Sequence, residues 1–120
     1  MPAQSDTLKD RLSRSSEINL TVTGRKSGRA ISRPVWFVLE DKTLYLLPVE
    51  GSDTQWYRNV LKHPSIRIGA GDAEAELKVT AVTDAKQVSA VVEKFRGKYG
   101  AKDVKQYYPK TDVAVVASLE

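Results

Sequence analysis

Apolar and polar positions change rhythm along the chain, and each change marks a predicted element. Ile18, Leu20 and Val22 alternate with Asn19, Thr21 and Thr23, the period of a half-buried strand. Ile31, Arg33, Val35, Phe37 and Leu39 then share one parity and Ser32, Pro34, Trp36 and Val38 the other, so this second strand is apolar on both faces towards its far end. Pro34 has no amide proton to give a ladder and predicts an edge or a bulge. Glu40-Asp41-Lys42 reads as a polar turn, and Thr43 to Val49 as a third strand that completes an antiparallel meander.

Helical spacing appears elsewhere. Ser5 to Arg14 predicts a short peripheral helix within residues 1–15, capped by Ser5 or Asp6, with Leu8 and Leu12 on one face. Ser52 or Asp53 caps a helix to about Lys62, whose apolar stripe is Trp56, Tyr57, Val60 and Leu61. His63-Pro64 stops it, and His63 reads as a helix-end residue rather than a catalytic base. Ser65 to Gly69 and Glu74 to Val82 are strands about the tight turn Gly69-Ala70-Gly71-Asp72. That turn contains GxG but lacks the third glycine and the following helix of a dinucleotide fingerprint. The strongest helical period runs from Thr83 to Tyr99, with Val88, Val91, Val92, Phe95 and Tyr99 on one face. A short helix over Asp103 to Tyr108 and a strand over Asp112 to Leu119 follow.

This order predicts a mainly β (α+β) fold: six mostly antiparallel strands closed into a small barrel, with three to four peripheral helices. Closure hides strand edges, and the turns are too short for parallel crossovers. A length of 120 residues is consistent with one domain spanning the chain.

Composition narrows the chemistry. The absence of cysteine removes thiolate nucleophiles, disulfides and Cys-based metal sites, and a single histidine leaves no imidazole set for a metal or a Ser-His-Asp triad. A net charge of +4 suits an anionic partner. No apolar run approaches a membrane span and the polar start is no signal peptide, so a cytoplasmic protein without an integral membrane segment is expected.

The charge concentrates in Thr23-Gly24-Arg25-Lys26-Ser27-Gly28-Arg29 between the first two strands. Glycines let main-chain N–H groups converge on a ligand, and Arg25, Lys26 and Arg29 offer charge-assisted hydrogen bonds to phosphate or carboxylate. The residues alone equally allow a solvated hairpin turn that blunts a sheet edge.

Three stretches together, Leu20-Thr-Val-Thr-Gly-Arg-Lys-Ser-Gly-Arg29, Pro34-Val-Trp-Phe37 and Gln55-Trp-Tyr-Arg-Asn-Val-Leu-Lys-His-Pro64, resemble the deazaflavin-dependent nitroreductases and quinone reductases of the split β-barrel flavoprotein superfamily. The resemblance implies coenzyme F420 as cofactor, or FMN as in related barrels, and hydride transfer to an electron-poor small molecule such as a quinone or nitro compound. It implies that Arg25, Lys26, Ser27, Gly28 and Arg29 hold the phosphate and acidic tail. It places the main chain of Pro34, Val35, Trp36 and Phe37 along the ring, with Trp36 as an aromatic beside it, and Trp56 and Tyr57 near the cofactor. Trp56 has core packing as an equal reading. Tyr99, Tyr107 and Tyr108 fall where the family places substrate-facing tyrosines. Members of the superfamily are often homodimers, though the deazaflavin branch includes monomers. The loop Val49-Glu50-Gly51-Ser52 departs from the family pattern: it is short, and Glu50 stands where a lysine would add to the anion site.

The remaining alternative is a non-enzymatic module that binds an acidic partner or nucleic acid through Arg25, Lys26, Arg29 and Arg33. Lys94, Arg96, Lys98, Lys102, Lys105 and Lys110 add charge without the interleaved exposed aromatics or recognition fold that nucleic acid requires, so no nucleic-acid partner is expected.

Overall fold

The structure is a computed structural model that describes residues 11–12, 15–70 and 73–119. The strands are β1 (Ile18–Thr23), β2 (Ala30–Val35), β3 (Phe37–Glu40), β4 (Thr43–Leu46), β5 (Ser65–Ala70), β6 (Ala73–Val82) and β7 (Ala114–Ser118). The helices are α1 (Gln55–Lys62), preceded by a single 3-10 turn at Gly51–Asp53, α2 (Ala85–Tyr99) and α3 (Ala101–Tyr107). The N-terminal helix expected over Ser5 to Arg14 lies largely outside the described residues, as do Gly71 and Asp72 of the GxG turn. Arg11 and Leu12 are helical, and Leu12 is buried in the core.

All strand pairs are antiparallel, in the order β2-β1-β5-β6-β7-β4-β3. Seven strand segments replace the six expected because the second strand breaks at Trp36. Its first half pairs with β1 (Val35 opposite Ile18) and its second half with β4 (Phe37 opposite Leu46). The two ends of the sheet are therefore consecutive in sequence, and one residue joins them. A sheet whose edges meet through a single residue must curl, which gives the split barrel. Pro34 lies in β2 at the sheet edge, where its missing amide proton costs no ladder bond on the outer side.

Alternation along the broken strand separates two cores. Val35 and Phe37 point into the barrel with Leu20, Leu44, Ile66, Ile68 and Val115, while Trp36 and Val38 point outward to the helices. In α1, Trp56, Tyr57 and Val60 pack into the barrel core, but Leu61 is 57% exposed and Asn59 takes the buried position instead. A helix this short buries a narrow stripe, and residues at i+3 and i+4 from Trp56 are Asn59 and Val60. The outer core holds Val88, Val91, Val92 and Phe95 of α2 and Val104 of α3 against Val38, Leu47 and Ala114. Asp84 caps α2 by accepting from Gln87 N at 3.1 Å. Gly100, at φ 95°, ends α2 and opens α3, a turn that a side chain would strain.

A polar latch ties the segment before α1 to the one before β7. Asp112 accepts from Ser52 N at 2.9 Å and from Ser52 Oγ at 2.7 Å, and Lys110 donates to Asp53 at 2.9 Å. Burial raises the Asp112 pKa, but the Ser52 hydroxyl and amide and the Lys110 charge outweigh it, so the carboxyl stays below its ordinary value. Gly51 at φ 57° lies so close that a Cβ would collide with Asp112 Oδ1. Gly51→Ala is expected to destabilise the fold by about 2 kcal/mol, from left-handed strain plus displacement of the latch. A urea midpoint equal to that of the wild type would contradict the latch.

Candidate functional site

The turn between β1 and β2 is ordered by its own backbone. Gly24 N donates to Arg29 O at 2.8 Å, Gly28 N to Gly24 O at 2.9 Å, and Arg29 N to Ser27 Oγ at 3.2 Å. Gly28 sits at φ 71°, which the turn requires of a glycine, and a Cβ on Gly24 would come within 2.7 Å of Ser27 Oγ and displace that hydroxyl from Arg29 N. Arg25 docks on α1: its main-chain N and its Nη1 both donate to Asn59 Oδ1, at 3.1 and 2.8 Å, and Nη2 donates to Gln55 Oε1 at 2.9 Å. Asn59, only 4% exposed, thereby has its buried oxygen satisfied.

One expectation is corrected by this geometry. The amides of Gly24, Arg25, Gly28 and Arg29 all donate within the protein, so they do not converge as a main-chain cradle for an anion.

The turn gathers its cations in one short stretch. Both side-chain partners of Arg25 are neutral amides, so its charge is oriented without being neutralised. Lys26, Arg29 and the β2 residue Arg33 are exposed, and among the described residues none has a carboxylate within ion-pair distance. Some cations elsewhere are matched, Arg58 with Asp53 at 3.1 Å, Lys94 with Glu40 at 2.6 Å, and Arg96 with Glu93. Others, such as Arg67, Lys86 and Lys102, stand singly without an ion pair among the described residues; the turn differs in gathering several such cations together. Ser27 and Gly28 are exposed beside the unmatched group. Glu50, the departure from the family pattern, is joined through its backbone to Lys110 in an isolated bridge, and its N donates to Thr54 Oγ1 at 2.7 Å.

The aromatic candidates fall into two places. Trp56 and Tyr57 lie in the barrel core at 2% and 3% exposure, and burial together with the Asp112 charge raises the Tyr57 pKa. Trp36 lies on the outer face instead, its ring 4.2 Å from that of Tyr99 at 9° and 4.5 Å from that of Tyr107 at 28°, with Tyr108 edge-on at 6.0 Å. The structure thus brings Trp36, Tyr99, Tyr107 and Tyr108 into one cluster and keeps Trp56 and Tyr57 apart from it. Tyr107 is 40% exposed, Pro34 is exposed, and Val35, Phe37 and Tyr108 are buried. Burial raises the Tyr108 pKa well above its ordinary value, with the neighbouring Tyr107 and Tyr99 hydroxyls adding to the effect.

At the strand break, α2 grips the main chain of Phe37. The Tyr99 hydroxyl accepts from Phe37 N at 3.1 Å, and its one proton serves Phe37 O or Ser16 O, each at 2.8 Å. Lys98 Nζ donates to the same Phe37 O at 2.8 Å and stands 3.6 Å from the centre of the Phe37 ring. Desolvation against this apolar wall lowers the Lys98 pKa from an ordinary 10.5 to about 8. Burial also raises Tyr99, partly offset by its bond to the Phe37 backbone, with the Glu17 charge adding to the rise.

Sequence reasoning did not assign Asn59, Gln55 or Lys98. Asn59 was detectable as a polar residue three positions after Trp56 on the buried stripe. Lys98 carried no such signal, because its surroundings come from β3 on a distant part of the chain. Among the described residues no group of His, Cys, Asp or Glu could hold a metal ion, and no helix is long and apolar enough to cross a membrane.

Residues 9–118 match the family described as "Uncharacterized protein conserved in bacteria (DUF2255)". No curated protein matches the chain. Among solved structures, an F420-H2 dependent reductase (FDR-A) is similar with a TM-score of 0.67 at 18% identity, over 86% of this chain and 94% of that one. HutZ, a heme storage protein from Vibrio cholerae, is similar with a TM-score of 0.71 at 14% identity, over 96% and 89%. A candidate pyridoxamine 5'-phosphate oxidase from Listeria innocua gives 0.68 at 16% identity, over 95% and 90%. At these identities the likeness establishes the shared split-barrel fold, which neighbours of different function also carry.

The depressed Lys98 pKa has a measurable sign. Between about pH 8 and 10.5 the unfolded chain keeps the Lys98 proton that the folded protein has released, so folding stability contributed by this site rises with pH across that window. Denaturant midpoints of the wild type should rise relative to those of Lys98→Met from pH 8 upwards. Parallel pH profiles for the two proteins would show that Lys98 is not desolvated.

Proposed function

The chain belongs to the DUF2255 family, and we propose that it is a split-barrel oxidoreductase that binds coenzyme F420 and reduces an electron-poor small molecule such as a quinone or nitro compound. The observation that carries this reading is the group of unmatched cations on the β1–β2 turn, on a fold shared with an F420-H2 dependent reductase. Arg25, Lys26 and Arg29, with Ser27 and Gly28 between them, would hold a phosphate and an acidic tail through charge-assisted hydrogen bonds. The fit is chemical: Arg25 is preset by neutral partners, so an arriving anion meets its full charge rather than competing with a carboxylate.

The ring would lie along Pro34 to Phe37, as the family resemblance implies. From Arg29 to Phe37 the extended chain covers roughly 26 Å at about 3.3 Å per residue, which separates the tail clamp from the reacting end. The bound cofactor supplies the hydride; the protein's task is to position, exclude water and supply a proton. Trp56 and Tyr57, buried in the barrel, would act by shaping the wall beneath α1 rather than by touching a ligand. Of the candidate tyrosines, Tyr108 is buried with its proton held tightly and Tyr99 is engaged at Phe37, so Tyr107, at 40%, is the exposed one.

FMN is the alternative cofactor, since it also offers a phosphate and a planar ring. F420 titrated into the purified protein at low salt should bind with micromolar affinity. Lys26→Ala and Arg29→Ala should each weaken it about tenfold, with a shallower salt dependence. A yellow protein with bound flavin would move the assignment to FMN, and no binding of either compound would remove the oxidoreductase reading.

A further inference from the structure

Beside the strand break lies an open cavity of about 390 Å³, lined by Leu12, Phe37, Val38, Leu39, Gly97 and Lys98. Its walls combine the side chains of Leu12, Val38 and Leu39 with main-chain polar atoms and one ammonium group. That ammonium gives one of its three protons to Phe37 O and has no carboxylate within ion-pair distance among the described residues. Lys94, one turn earlier on α2, shows the contrast, because Glu40 pairs with it at 2.6 Å and raises its pKa. The two lysines share a helix face at i and i+4 but only Lys94 is neutralised.

We propose that this cavity binds a small planar, apolar compound bearing one anionic or carbonyl oxygen, with the Lys98 ammonium as its polar anchor. The volume suits a ligand of one or two fused rings. The aliphatic part of the wall takes the hydrocarbon surface, and the two remaining N–H groups of Lys98 are open to an acceptor oxygen that the described residues do not provide. The cavity touches Phe37, the last residue of the stretch assigned to the ring. Its identification as the acceptor site therefore rests on the proposed reductase activity, whereas the binding itself does not. A proton on Lys98 would stand next to an acceptor oxygen that gains charge on reduction.

The other charged or titratable groups on the elements that line the cavity are Arg11 next to Leu12, Glu40 paired with Lys94, Glu93 paired with Arg96, and Tyr99, on whose hydroxyl Glu17 acts. Partial desolvation lowers the Lys98 pKa to about 8.

The test is calorimetric titration of the full chain, free of redox cofactor, with 2-naphthoate as probe. Wild-type affinity should fall as pH rises above about 8, where Lys98 loses its proton. Lys98→Met should weaken binding about tenfold or more, and Lys98→Arg should retain it within about threefold while removing the pH dependence. The proposal is overturned if 2-naphthoate does not bind the wild type, or if Lys98→Met binds as the wild type does. It is equally overturned if the affinity depends on Lys26 and Arg29 instead. Because no F420 is present, failure of this test with F420 binding intact removes the cavity alone. Failure of F420 to bind, with 2-naphthoate still anchored by Lys98, removes the cofactor reading alone.

Discussion

The grip of α2 on the main chain of Phe37 is the contact on which the rest of the architecture depends. A strand that ends at Val35 and resumes at Phe37 leaves polar main-chain groups at the corner, and a buried group without a partner costs on the order of 1 to 3 kcal/mol. Tyr99 and Lys98 supply those partners from outside the barrel. Trp36, turned outward by the same break, fills the space between Tyr99 and Tyr107. One irregular residue therefore links the barrel core to the outer core, and sets the boundary at which the proposed binding surfaces meet.

Charge is distributed with a related division. Acidic residues match cations around the latch and at Lys94 and Arg96 of α2, and among the described residues pair with neither Lys98 nor the cations gathered on the β1–β2 turn. The unmatched charges differ in kind. Those of the turn stand in water, where salt screens them and a flexible anion can reach them. Lys98 is exposed too, but its ammonium rests on the Phe37 ring and carbonyl, where it is partly desolvated and a single oxygen has more effect.

Much of this fold was legible in local pattern. Period-two alternation located β1, β5 and β6, and period-3.6 spacing located the buried face of α2, because each of those elements buries one side against one neighbour. The break at Trp36 was not legible: apolar residues on both parities describe a continuous strand and a strand that changes partners equally well. Leu61 was misplaced for a similar reason, since a stripe drawn from spacing does not say how much of a two-turn helix is covered. At the turn, composition identified the cations but not the route of the amides. The partner of Arg25 is Asn59, and only the folded chain brings them together. Lys98 was hidden because desolvation is a property of surroundings, and its surroundings come from β3.

The place of β7 between β4 and β6 bears on how the chain assembles. β4 and β6 precede it in sequence, yet neither has its final neighbour until residues 114–118 have been made. During synthesis the nascent sheet has two unpaired edges at the position that β7 will fill, one of them offering the apolar Leu44 and Leu46. Exposed edges of that kind recruit other chains. Closure thus comes as a late, long-range event, and the contacts that complete the barrel are those least favoured early in folding.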